Sequence, residues 1–187
     1  MFHRLELVLA AALALPGFAA AQGVPGADEP APKAAPTAET PETRAAKELV
    51  TRYLTAVKAK KWAEVKKLLH PSTVKAIAER KKRLGEENHP MAPWYFEKKS
   101  SYLKDFKVVD AKSAVLGTVV VETSEDNYQV EEKGLAEGEM ATYLVAQKDK
   151  KWWMVDKKRG ETFTNDSIKL GYKGFFDLPP SAHVEEE

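Results

Sequence analysis

Residues 40–72, TPETRAAKELVTRYLTAVKAKKWAEVKKLLHPS, carry the pattern that most restricts how this chain folds. Thr40 stands before Pro41 and Glu42, which places a capping hydroxyl, a proline at the first helical position and an acid in the positive first turn. Ala46, Leu49, Val50, Tyr53, Leu54 and Val57 then recur at the three-and-four spacing of one buried stripe. Lys47, Glu48, Arg52 and Lys58 fall mostly on the other side. The pattern lapses over residues 58–61 and resumes with Trp62, Val65, Leu68 and Leu69, which predicts a bend and a second short helix ending at His70 and Pro71. Two such stripes need a surface to be buried against.

The second half of the chain supplies it. Ser72 caps a predicted third helix over residues 73–84, stopped by Gly85; its apolar content is thin, and Lys75, Arg80, Lys81, Lys82 and Arg83 read as a solvated face, with an anionic partner as the alternative. Beyond the loop EENHP, the cluster Trp94, Tyr95 and Phe96 predicts another helical turn or two to about Ser101, serving as a lid over the core or as a pocket mouth. From Tyr102 the period becomes alternating, with a turn at Leu116-Gly117 and a β-branched run over 118–123. Residues 124–139 are polar and acidic and read as a long hairpin loop whose arms extend the strands.

Residues 140–147 and 152–158, joined by KDKK, form the clearest predicted hairpin. Pairing Gln147 with Trp152 sets Val145 against Met154 and Tyr143 against Asp156 on one side, and Ala146 against Trp153 and Leu144 against Val155 on the other. Both faces are apolar near the turn. Such a sheet needs cover on both sides, or cover on one and a partner on the other.

YLTAVKAKKWAEVKKLL, residues 53–69, resembles the opening helix pair of the nuclear transport factor 2-like superfamily, with its SnoaL-like and ketosteroid-isomerase-type members, although Lys60-Lys61 stands where Gly-Asp is usual. KDKKWWMVDKK is similar to the last-strand pattern of the same superfamily, so the resemblance spans about residues 40–159. It implies an α+β fold, N-terminal helices packed on one face of a curved antiparallel sheet, the cystatin-like cone. In the isomerase branch a tyrosine on the first helix stabilises a developing oxyanion, and Tyr53 is at the matching place. That branch also needs a carboxylate base after the second helix; PSTVKAIAERKK holds only Glu79, so Tyr53 reads as a core aromatic.

Residues 1–21 have the order of a secretory signal peptide, with His3 and Arg4, an apolar run over 7–15, a Pro16-Gly17 break and small residues at Ala19 and Ala21 that place cleavage before Gln22. An uncleaved membrane anchor is the alternative, because Glu6 weakens the positive start. Residues 22–41 read as a disordered Pro/Ala-rich linker, 42–178 as one domain in which Phe175 and Phe176 dock back, and 179–187 as an acidic tail. The 29 Lys+Arg against 28 Asp+Glu give no reason to expect nucleic acid. The absence of cysteine removes disulfides and thiolate chemistry.

The candidate catalytic residues are Tyr53, Tyr143 and Asp156, the last two as a phenol held by a carboxylate. The candidate pocket adds Trp94, Tyr95, Phe96 and Trp153. His3, His70, His89 and His183 show no ligand spacing, so neither metal nor cofactor is expected. The expected activity is that of an exported, periplasmic or secreted, non-catalytic module binding a small apolar ligand or a protein. The alternatives are an isomerase or cyclase with a pocket under the first helix, and a scaffold that dimerises or meets an envelope protein through the sheet face around Trp152 and Met154.

Overall fold

A computed structural model describes residues 39–172; the leader, most of the linker, Phe175 and Phe176, and the acidic tail lie outside the described residues. The elements run α1 (Pro41–Lys58), α2 (Trp62–Leu68), α3 (Pro71–Leu84), α4 (Pro93–Lys99), β1 (Ser101–Ser113), β2 (Thr118–Gln129), β3 (Gly134–Lys148), β4 (Lys151–Arg159) and α5 (Asn165–Tyr172). The strands form one curved, unclosed antiparallel sheet in the order β1-β2-β3-β4, with the N-terminal helices packed on one face. The fold class is α+β, as the change of period predicts.

Helix α1 starts where its capping signals stand. The Thr40 hydroxyl accepts from the Thr43 N–H at 3.2 Å, and the Thr43 hydroxyl accepts from the Thr40 N–H at 3.0 Å. All six residues of its predicted stripe are buried, and they pack with Val65, Leu68 and Leu69 of the second helical segment against Val119, Val121, Tyr143, Val145 and Met154 of the sheet. Each such large apolar side chain contributes about 1.5–3 kcal/mol on burial. The bend between α1 and α2 puts Lys60 in the left-handed region, φ 58°, a conformation that glycine adopts without a side-chain clash.

Three local expectations change. Helix α3 is capped by His70, whose Nδ1 accepts from the Ser72 N–H at 3.1 Å; Ser72 is the second helical residue, because Pro71 takes the first helical position. The acidic stretch 124–139 is mostly strand, its only turn falling at residues 130–133 between β2 and β3. The hairpin of β3 and β4 closes on two residues, Asp149 and Lys150, both at positive φ as a tight twisted turn demands.

The second apolar face is covered from within the chain. Phe163 and Ile168 of α5 and the segment before it pack on Val120, Leu144, Ala146 and Val155. Met154 is fully buried in the main core, so it presents no outer surface. Helices therefore lie on both faces, α1 to α4 on one and α5 on the other.

Strand β4 carries the irregularity that matters most for the inner face. Val145 pairs with Met154, but Leu144 pairs with Asp156 and Tyr143 with Lys157, so Val155 is an extra residue, a β-bulge. The corner between α2 and α3 pins it: the His70 N–H donates to the Met154 carbonyl and the Thr73 hydroxyl to the Val155 carbonyl, each at 2.7 Å.

Candidate functional site

Between α1, α4 and the inner face of the sheet lies a cavity of about 470 Å³. Helix α1 contributes Tyr53, Leu54 and Val57, and the α1–α2 corner adds Lys60 and Trp62. Helix α4 gives Phe96 and Glu97, and the start of β1 gives Ser101, Tyr102 and Leu103. The floor is Glu125 and Asn127 from β2, Tyr143 from β3, and Lys157, Lys158 and Arg159 from β4, followed by Glu161.

Strand alternation explains why an acid is inside. Val119, Val121, Thr123, Glu125 and Asn127 share one face of β2, and all five are buried. Glu125, 1% exposed, is held at both oxygens. Its Oε1 accepts from the Tyr143 hydroxyl at 2.5 Å and the Thr123 hydroxyl at 3.2 Å, and its Oε2 from the Lys157 ammonium at 2.6 Å. Burial pushes the Glu125 carboxyl up, but the charge and hydrogen bond of Lys157, the Tyr143 hydrogen bond and the more distant Arg159 together outweigh it and hold the group below its ordinary value. Burial drives the Lys157 ammonium down, opposed by Glu125; the 2.6 Å contact is that of an ionised pair.

Tyr53 meets Tyr143 edge to face, ring centroids 5.8 Å apart. Burial and then the negative charge of Glu125 raise its phenol far above the ordinary range, so it stays protonated and can only donate or accept as a neutral hydroxyl. Tyr53 is 1% exposed, yet its hydroxyl makes no hydrogen bond among the described residues. Arg159 stands two residues beyond Lys157 on the same face, exposed at the open end, and forms no ion pair among the described residues.

Of the candidates read from the sequence, the structure brings Tyr53, Tyr143 and Phe96 together around the cavity. The pairing of Tyr143 with Asp156 is overturned. The bulge at Val155 turns Asp156 to the outer face, where it accepts from the Tyr172 hydroxyl, and brings Lys157 to Tyr143 in its place. Trp94 and Tyr95 do not line the cavity, because consecutive helical residues point about 100° apart. Phe96 and Glu97 face inward, while the Trp94 indole donates to Glu87 and the Tyr95 hydroxyl to Glu86. Trp153 pairs with Ala146 on the outer side and sits against His70, ring centroids 6.2 Å apart.

Glu125, Lys157 and Arg159 were not legible as site residues. The signal for Glu125 was available: the parity of the β-branched run at Val119 and Val121, continued through Thr123, points it inward. Among the described residues, no three His, Asp or Glu side chains converge as a metal site would require. Compared with protein-family models and with curated proteins, the chain gives no match.

Proposed function

We propose that residues 42–178 form a small-ligand-binding module of the nuclear transport factor 2-like type, exported by the leader-like segment at 1–21, and that it binds without catalysis. The observation that carries this reading is the state of Glu125 in the cavity. A general base must have a free lone pair aimed at substrate and a value near the working pH. Glu125 instead accepts from Tyr143, Thr123 and Lys157, three of its roughly four lone-pair positions, and its value is held down. The carboxylate is committed to holding the floor rigid, and a preformed cavity of about 470 Å³ lies within the usual range for small ligands.

A second reading, an isomerase or cyclase, draws support from one observation: the unpartnered Tyr53 hydroxyl and a carboxylate line the same cavity. One experiment separates the two. Purified protein is screened for binding and for turnover against a panel of small apolar and aromatic molecules. Saturable binding with every molecule recovered unchanged supports the module; turnover abolished by Tyr53→Phe overturns it. Export is tested by expressing the full chain in a secreting bacterium and sequencing the mature N-terminus, expected to begin at Gln22. Retention of Met1 on a membrane-bound product would favour the anchor.

A further inference from the structure

Resting on the ligand-binding reading, the charges that line the cavity say what the ligand carries. Lys60 is paired with Glu97 at 2.7 Å, Lys157 with Glu125 at 2.6 Å and Lys158 with Glu161 at 3.7 Å. The remaining lining charge is the Arg159 guanidinium, with no carboxylate partner among the described residues. A second polar group is also uncommitted: the hydroxyl of Tyr53, a residue 1% exposed, on the opposite wall from β4. Between them the walls are apolar, formed by Leu54, Val57, Trp62, Phe96 and Leu103.

We infer that the cavity takes a small amphipathic monoanion, an aromatic or aliphatic body bearing one carboxylate, with the carboxylate on Arg159 and the body against the α1 and α4 walls. A planar guanidinium matches a carboxylate through two parallel hydrogen bonds, which a lysine cannot supply. One uncompensated cation calls for one negative charge. A dianion would leave the second charge unpaired in a partly enclosed site, which is costly. The Tyr53 hydroxyl remains to donate to an oxygen of the ligand, its proton retained by burial and then by the negative charge of the nearby Glu125.

The test uses matched pairs of probes with the full domain, by isothermal titration calorimetry at pH 7: 2-naphthylacetate against 2-naphthylacetamide, and octanoate against octanamide. The carboxylate of each pair is expected to bind at least about tenfold more tightly than its neutral amide. Arg159→Gln, at an exposed position, is expected to remove that preference, bringing the carboxylate of each pair down to about the affinity of its amide. Circular dichroism of the variant checks that it is folded. Equal affinity for acid and amide, tighter binding of 2-naphthyl phosphate, or a preference that survives Arg159→Gln would overturn the monoanion while leaving the cavity a ligand site. If none of the four probes binds at millimolar concentration, both this inference and the ligand-binding reading fall.

Discussion

On the inner face of the sheet the Tyr143 hydroxyl donates to Glu125, and on the outer face the Tyr172 hydroxyl donates to Asp156. The chemical pair is the same. Its surroundings differ: Glu125 is buried against the Lys157 ammonium at the floor of a cavity, whereas the outer pair is half-buried and fastens α5 to β4. A buried carboxylate that shares a cavity with a cation and two phenols sets the field a ligand meets. A half-exposed one, accepting a backbone N–H from Lys157 at 2.7 Å as well, works as a clasp for a terminal helix. The pair alone does not distinguish a site from a fastening; the burial, the cation and the open volume beside it do.

The comparison can be broken by removing one member at a time. Lys157→Met should have the largest effect, because it leaves Glu125 charged and uncompensated in the core; a loss of about 3–5 kcal/mol is expected by urea unfolding. A loss under about 1 kcal/mol would mean that Lys157 and Glu125 are solvated rather than a buried pair. Glu125→Gln should cost somewhat less, since its amide still accepts from Tyr143, and it should also change the response to acid. The folded value of Glu125 lies below the ordinary 4.5, so its contribution is fully present above pH 4.5 and is lost as pH falls through the folded value. Stability of the wild type should therefore fall more steeply below pH 4.5 than that of Glu125→Gln. Parallel acid curves would remove Glu125 from the account.

Smaller effects sharpen the contrast between the faces. Tyr143→Phe removes one of the two donors to Glu125 Oε1 and should cost about 1–3 kcal/mol. Tyr172→Phe should cost about 1 kcal/mol or less, since its partner is reachable by water, and should leave probe binding in the cavity unchanged. If Tyr172→Phe altered that binding, the two faces would be coupled through β4 and the division between site and clasp would fail.

The fold was legible to the extent that its signals are local. The cap at Thr40, the six-residue stripe of α1 and the change of period at Tyr102 each depend on neighbours within a turn or a strand. Tyr53 and Tyr143 could be named for the same reason: each continues a local apolar pattern that ends in a polar atom. Lys157 could not, because its inward position depends on the extra residue at Val155, and the groups that hold that bulge, His70 and Thr73, lie more than 80 positions away. Glu125 was hidden by composition. An acidic stretch reads as loop until the parity of the preceding valines is carried through it.

The bulge at Val155 has a further consequence for how readily this floor can change sign. Strand residues alternate faces, so the same residues paired without a bulge would set Val155 opposite Leu144 and Asp156 opposite Tyr143. Glu125 would then face a second carboxylate instead of a partner, and Lys157 and Arg159 would turn to the outer face. Excising Val155 has no such effect, because Asp156 stays opposite Leu144 and Lys157 opposite Tyr143. The sign of the floor therefore rests on the strand holding its extra residue as a bulge, and so on the two hydrogen bonds by which His70 and Thr73 pin that bulge from the helical side.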